Sequence, residues 1–275
     1  MNEGLHKAKR NKKDEFYTLY SDIETELQHY DFSGKTVYCN CDDGMRSNFF
    51  LYFMRNFEKL KLRKLICTGI GEDIDRVFVM YKKDYALFKP HDGDFRNNID
   101  LLINSDIVVT NPPFSLFREF MKVLMEYKKK FLVIGSIPQI GYKEIFPLIQ
   151  NNQVWFGYRN FGCMRFMFGN EIVKVKNICW FTNLCNDRHN YLDLKECYDS
   201  LKYPKYDNYN AINVDKVCDI PCDYCGTIGV PISFFNKYNP KQFEIVGFRK
   251  GNDGDDLHYN GKYPFTRVLI KRKNN

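Results

Sequence analysis

The residues best suited to chemistry are Asn111-Pro112-Pro113-Phe114, which follow directly on Ile107-Val108-Val109-Thr110. A short continuous run of Val and Ile is the pattern of a strand buried on both faces of a parallel sheet. In open α/β sheets, ligands sit beyond the carboxyl ends of such strands. The amide oxygen of Asn111 and the backbone carbonyl of Pro112 offer two hydrogen-bond acceptors close together. Paired prolines fix φ and remove backbone donors, so the turn is stiff and its carbonyls can face a cleft. Two such acceptors suit an amine conjugated to an aromatic ring, whose lone pair is delocalised and weakly nucleophilic. Held near tetrahedral geometry, that lone pair localises toward a methyl donor. Phe114 supplies a ring on which a base extruded from a duplex can stack. Positioning and fixed polarity, with no acid–base residue, would carry such a transfer. The plainer alternative is a strand-ending diproline turn with a buried Phe.

Two other acidic turns belong to the same argument. Thr36 to Cys41 (TVYCNC) reads as a first strand that runs through Asn40 into Asp42-Asp43-Gly44. A glycine-rich turn in this place usually lets a phosphate approach backbone amides. Here one glycine stands beside two carboxylates, which disfavours phosphate and suits a sulfonium carrying a free amino group. The alternative is that Asp42 or Asp43 caps the helix that follows. Further on, Gly93-Asp94-Phe95-Arg96 stands upstream of the Asn-Pro-Pro-Phe strand. Asp94 could accept a hydrogen bond from the amine of a cofactor adenine while Phe95 packs on its ring; otherwise Asp94 is a helix cap.

These residues need elements to position them. From Lys35 onward, apolar strands alternate with helical patterns, which predicts an α/β fold with a parallel, helix-flanked sheet. The first strand is followed by a helix with Phe49, Phe50, Phe53, Phe57 and Leu60 on one face, then by a strand at Lys64 to Thr68. A small hairpin is expected from Arg76 to Phe88. Leu116 to Tyr127 reads as helix, Phe131 to Gly135 as a buried strand and Lys143 to Gln150 as helix. Beyond residue 153 strands follow one another, at Val154 to Tyr158, Met164 to Phe168 and Ile178 to Thr182. Residues 200–210 read as a surface connection. A helix near Ile232 to Tyr238 and strands at Phe243 to Phe248 and Thr266 to Ile270 close the chain. The expected organisation is a segment 1–30 covering the cofactor, a catalytic domain 31–200 and a carboxyl-terminal recognition lobe 201–275.

A chain of 275 residues can bury one sizeable core and a second small lobe. Its formal net charge of +7, with basic residues gathered at Lys7 to Lys13 and Lys271 to Lys273, suits a polyanion such as nucleic acid. Solvated tails would carry the same charge. The longest apolar runs are too short to span a bilayer, and the basic start is followed by no apolar run, so neither membrane insertion nor secretion is expected. The 10 cysteines include several in strand-like settings (Cys39, Cys67, Cys179), which points to a reducing, cytoplasmic compartment. Cys218, Cys222 and Cys225 invite a zinc reading, set aside because three thiols lack a clear fourth partner, His258 being the nearest late histidine. No metal is expected. Arg159, Arg165 and Lys205, with the Tyr- and Asn-rich stretch Tyr203 to Tyr224, could contact phosphates or base edges, or could simply be solvated.

Several stretches together resemble the EcoRI-type adenine-specific DNA methylases: Asp14 to Thr18 (DEFYT), Val37 to Asp43 (VYCNCDD), Thr110 to Arg118 (TNPPFSLFR), Trp180 to Leu184 (WFTNL), Asp215 to Tyr224 (DKVCDIPCDY) and Gly229 to Ile232 (GVPI). The resemblance covers nearly the whole chain, from about residue 8 to 273. It implies a Rossmann-like class I methyltransferase sheet, S-adenosylmethionine as donor, and methylation of N6 of an adenine within a short site of double-stranded DNA. It carries the catalytic role onto Asn111, Pro112, Pro113 and Phe114. Cofactor contacts fall on Asn40, Asp42, Asp43, Asp94, Phe95 and Asn111, with Phe16, Tyr17 and Thr18 folding over the cofactor. The first turn departs from most methyltransferases in lacking Gly-x-Gly. Glu72 and Asp73 are candidates for the carboxylate that holds the ribose. A monomer is favoured. The competing functions are methylation of RNA adenine or of a protein glutamine with the same motif, and a non-catalytic nucleic-acid-binding module on this scaffold.

Overall fold

The computed structural model describes residues 17–42, 46–69, 76–82, 85–168, 171–185, 190–249 and 256–273. The chain divides into two compact units, Met1–Gln139 with Phe156–Cys185, and Ile140–Trp155 with Asn186–Asn275. The expected boundary near residue 200 therefore falls elsewhere, and residues 140–155, expected within the catalytic domain, belong to the second unit.

The strands of the first unit are β1 (Tyr17–Thr18), β2 (Thr36–Cys39), β3 (Lys64–Gly69), β4 (Arg76–Lys82), β5 (Tyr85–Pro90), β6 (Ile107–Thr110) and β7 (Lys130–Ser136), then β8 (Trp155–Phe156), where the chain returns from the second unit, β9 (Gly162–Phe168) and β10 (Glu171–Thr182). Their order across the sheet is β1-β9-β10-β7-β6-β2-β3-β4-β5. The centre is parallel: β2 pairs with β3 and with β6, and β6 with β7. The flanks are antiparallel, β3-β4-β5 on one side and β7-β10-β9-β1 on the other. The expected parallel sheet is thus confined to four strands. The reason lies in the connections: parallel neighbours need a crossover of a dozen or more residues, whereas tightly spaced strands turn back as hairpins.

Helices α1 (Tyr20–Leu27), α2 (Asn48–Arg55), α3 (Ile99–Ile103) and α4 (Phe117–Glu126) belong to this unit. Both faces of the parallel centre are buried, as period-two alternation requires. On one face Val37, Cys39, Leu65, Cys67, Ile107, Val109, Leu132 and Ile134 pack with Ile23 and Leu27 of α1 and with Phe49 and Phe53 of α2. The alternate residues Tyr38, Ile66, Val108, Phe131 and Val133 are buried too, and α4 sets Phe117 5.0 Å from Phe181. The helix expected to reach Leu60 stops at Arg55, where the Asn56 side chain turns back to the Tyr52 carbonyl (2.9 Å).

Helix α1 carries buried acids that its sequence does not advertise. Glu26 is fully buried. Its Oε1 accepts from the Tyr158 amide (2.7 Å) and the Tyr30 hydroxyl (2.9 Å), and its Oε2 from the Arg159 amide (2.7 Å). Asp22 accepts from the Arg165 amide (3.0 Å) and lies 3.4 Å from the guanidinium groups of both Arg159 and Arg165. Charge-assisted bonds of this kind fix α1 against the segment leading into β9.

The second unit holds β11 (Ala211–Asn213), β12 (Thr227–Pro231), β13 (Phe243–Arg249) and β14 (Arg267–Arg272) in the order β11-β12-β14-β13. Ile212, Ile228, Val230, Phe234, Phe243, Ile245, Val268 and Ile270 are buried in it, and Tyr206, Ala211, Leu257, Tyr259 and Leu269 form one of its hydrophobic clusters. A polar network supplements it. Asn213 Oδ1 accepts from the Tyr206 hydroxyl (2.7 Å) and from Arg267 Nε (3.0 Å), and Asp215 accepts from Arg267 Nη2 (3.1 Å) and Asn213 Nδ2 (2.8 Å). Gly229 is required by this packing, since a Cβ there would lie 2.3 Å from the Tyr206 hydroxyl. The segment that precedes β8 supplies α6 (Phe146–Gln150), counting Ile137–Ile140 as α5. It is held by Gln150 Nε2 on the Ile245 carbonyl (3.0 Å) and by the Tyr238 hydroxyl on Asn152 (2.7 Å). The helix expected near Ile232 to Tyr238 is a short 3-10 turn, Ile232–Asn236. Among the described residues no helix is long and apolar enough to cross a membrane.

Candidate active site

Strand β2 lies between β3 and β6 at the point where the order of the parallel strands reverses, which is where open α/β sheets leave a crevice for ligands. Asp42 sits just past β2 and its backbone amide donates to the Thr68 carbonyl of β3 (2.9 Å). Its side chain is buried. Oδ1 accepts from the Ser47 hydroxyl (2.6 Å) and Oδ2 from the Thr110 hydroxyl. Ser47 caps α2 by accepting from the amides of Phe49 (3.1 Å) and Phe50 (3.4 Å). The capping role offered to Asp42 in the sequence therefore belongs to Ser47, and Asp42 holds the cap. One carboxylate thus fixes the end of β2, the start of α2 and the end of β6 together. Thr110→Val keeps the side-chain shape but withdraws one donor from a buried carboxylate, and is expected to lower stability by about 1–3 kcal/mol, read by urea denaturation.

Thr110 leads directly into the Asn-Pro-Pro-Phe corner. Asn111, Pro113 and Phe114 are half-buried and Pro112 is buried, and the Asn111 Oδ1 atom is shielded from solvent. Pro113 is extended (φ −55°, ψ 123°) and its carbonyl accepts from the Leu116 amide (3.0 Å), opening the 3-10 turn Phe114–Leu116 that feeds α4. The Phe114 carbonyl accepts from Gln139 Nε2 (3.1 Å), and Gln139 Oε1 accepts from the Ser136 amide at the end of β7 (2.7 Å). Gln139 is a buried brace that sequence reasoning missed, because nothing local marks a glutamine one strand away. The Phe114 ring packs against the core on one side while remaining partly exposed.

The two acidic turns converge on this place. Burial first, then the charges of Asp42 and Asp94, push the Cys41 thiol well above its ordinary range, against a hydrogen bond with Thr110 that pulls it down. Cys41, Asp42, Asp94 and Thr110 are therefore electrostatic neighbours. Asp94 also caps the 3-10 turn Phe95–Asn97 through the Arg96 amide (2.9 Å) and pairs with the Arg96 guanidinium, whose hydrogen bonds hold its carboxyl below the usual carboxylate range. The cap and the position beside the site are both present in one residue. Phe95 is buried and meets Phe120 edge-on at 5.1 Å, so its ring is a core ring.

Of the segment expected to fold over a cofactor, Tyr17 and Thr18 form β1 against Met167 and Phe166 of β9. Asn48, the first residue of α2, donates to the Thr18 carbonyl (2.8 Å), which brings that segment to the helix start capped by Ser47. Asn40 is buried in the turn. Phe16, Asp43, Glu72 and Asp73 lie outside the described residues. Arg159 and Arg165, candidates for phosphate contact, pair with Asp22 and keep about half of their side chains exposed. Lys205 is an exposed residue of the second unit, bridged through its backbone to Ile212.

Comparison with known proteins fits this arrangement. The family model described as adenine-specific methyltransferase EcoRI matches residues 4–91 and 71–273. The chain is 47% identical to the type II methyltransferase M.EcoRI of Escherichia coli, over 99% of this chain and 97% of that protein. It is 37% identical to the type II methyltransferase M.MpnI of Mycoplasma pneumoniae and 36% identical to M.MgeORF184P of Mycoplasma genitalium, in each case over 98% of both chains. No solved structure matches. The chain belongs to the EcoRI-type family of adenine-specific methyltransferases.

Proposed function

We propose that the chain is a site-specific DNA methyltransferase that moves a methyl group from S-adenosylmethionine to N6 of an adenine flipped out of duplex DNA, on a Rossmann-like sheet of the class I kind. The observation that carries this reading is the meeting of the Asn111 to Phe114 corner with the acidic turn of Asp42 at the carboxyl ends of β6 and β2. What supports S-adenosylmethionine as the donor is the acidic character beside the corner, where the charges of Asp42 and Asp94 both act on Cys41. That field repels a phosphate and favours a sulfonium and an ammonium. Asn40, Asp42 and the β1 residues Tyr17 and Thr18 would hold the amino-acid end, and Asp94 the adenine amine. When bound, S-adenosylmethionine supplies a methyl group made electrophilic by the adjacent sulfonium.

The chain's own residues do the rest. Asn111 Oδ1 and the Pro112 carbonyl accept from the two N–H bonds of the target amine and orient its lone pair. The Phe114 ring stacks on the flipped base. Asp42 through Thr110, and Gln139 through the Phe114 carbonyl, keep the corner in place, so the acceptors need no reorganisation at the moment of transfer. The second unit reads the target sequence, and the net charge of +7 favours encounter with the phosphate backbone. The enzyme acts in the cytoplasm as a monomer.

The test is to incubate the protein and methyl-labelled S-adenosylmethionine separately with unmethylated duplex DNA, RNA and protein. Label in DNA is expected, recovered as N6-methyladenine at one short sequence by methylation-aware sequencing. Label in RNA or on protein glutamine would replace DNA as the substrate, and failure to bind the donor would leave a non-catalytic module.

A further inference from the structure

The second unit contains a cluster of ligand atoms that the methyl-transfer site does not use. Cys197 Sγ, Cys222 Sγ and a carboxylate oxygen of Asp223 all lie within 4.8 Å of one another. In the sequence Cys218, Cys222 and Cys225 lacked a partner. The fold supplies one from a separate segment. The two segments are also pinned by their backbones: the Cys222 amide donates to the Glu196 carbonyl (2.7 Å) and the Tyr198 amide to Asp223 Oδ1 (2.7 Å). The rings of Tyr198 and Tyr224 lie 4.6 Å apart.

These atoms match the demands of one class of ion. In a tetrahedral zinc site with Zn–S near 2.3 Å and Zn–O near 2.0 Å, neighbouring ligand atoms stand about 3.5–3.8 Å apart. The observed cluster needs small adjustments to reach that. Cys222-Asp223-Tyr224-Cys225 has the C-x2-C spacing common in structural zinc sites. Cys225, exposed and with its Sγ 3.8 Å from the Asp223 carbonyl, is the thiol that this spacing offers as a fourth ligand. A disulfide between Cys197 and Cys222 would have no use for the third and fourth groups. The location also suits a staple. Residues 190–199 form no helix or strand, and none of them is buried. A segment without a ladder or a buried side chain of its own gains most from such a cross-link.

We propose that Cys197, Cys222, Asp223 and Cys225 form a structural zinc site that ties the segment 190–199 to the loop between β11 and β12. Binding releases the thiol protons to solvent as the thiolates coordinate the ion, without change of oxidation state. The site is independent of methyl transfer, so its failure would leave the proposed function standing.

The full-length protein, purified without chelator, should carry about one zinc per chain by mass-spectrometric metal analysis, as a single tetrahedral site requires. Cys197→Ser with Cys222→Ser should remove it, and Cys163→Ser, an exposed thiol of the first unit, should retain it. Zinc-stripped wild-type protein titrated with Co2+ should develop a thiolate-to-cobalt charge-transfer band, which needs no variant to fold. A wild-type protein that holds no zinc and shows no such band overturns the proposal. So does zinc retained by the double variant, or a Cys197–Cys222 disulfide found in freshly purified protein.

Discussion

Asn111→Ala is expected to lower the rate of methyl transfer to DNA by about 10²–10³-fold, the scale of losing one preorganised polar group at a reacting centre. The substitution removes one of the two proposed acceptors and keeps two bonds that brace the corner. The Thr110 hydroxyl still reaches Asp42, and Gln139 still holds the Phe114 carbonyl. Donor affinity, measured by calorimetry, should therefore change little, and circular dichroism should match the parent. Single-turnover transfer of labelled methyl to a duplex oligonucleotide separates the chemical step from product release. A variant that turns over at the parental rate would remove Asn111 from the catalytic machinery. One that loses donor affinity in the same proportion as rate would move it to cofactor binding.

Glu26→Ala should destabilise the protein by about 3–5 kcal/mol. Two partly buried backbone amides, of Tyr158 and Arg159, lose their acceptor together with the Tyr30 hydroxyl, and each orphaned donor costs roughly 1–3 kcal/mol. Against a total stability of about 5–15 kcal/mol this is a large fraction. Chemical denaturation should show the midpoint falling at unchanged slope. Gly157→Ala attacks the same clamp from the other side, because its Cβ would lie 2.1 Å from Glu26 Oε1. Helix α1 begins one residue after the β1 segment that approaches α2, so donor affinity should fall along with stability. A stability change within experimental error for Glu26→Ala would show that the helix is held by its apolar face alone.

The Asn-Pro-Pro-Phe corner proposed for catalysis was legible because its signals are local. A Val–Ile run read directly as β6, and the diproline after it can end a strand but not extend one. The hairpin of β4 and β5 and the buried β7 were legible in the same way. What escaped detection depends on partners distant in the chain. Asp22 and Glu26 look like the solvent face of a helix until the residues near β9 are brought against them. The two residues of β1 and the three of β11 are too few for a period to register. Strand β12 contains Gly229 and ends at Pro231, which disguise it, and only the closeness of Tyr206 explains that glycine. Asp94 was ambiguous between cap and cofactor contact. Its bond to the Arg96 amide shows the cap, and the cofactor contact stays a proposal. Gln139 and Cys197 had no signal of their own.

The second unit is assembled from two stretches of chain separated by Phe156–Cys185. During synthesis on the ribosome the earlier stretch emerges long before Ile245, whose carbonyl Gln150 needs, and before Tyr238, the partner of Asn152. Until β13 leaves the exit tunnel, α6 lacks that partner, and closing so long a loop is slow. Nascent chains arrested shortly before β13 should be cut by protease around residues 140–155, and a gene split at residue 200 should yield two pieces that each expose apolar surface.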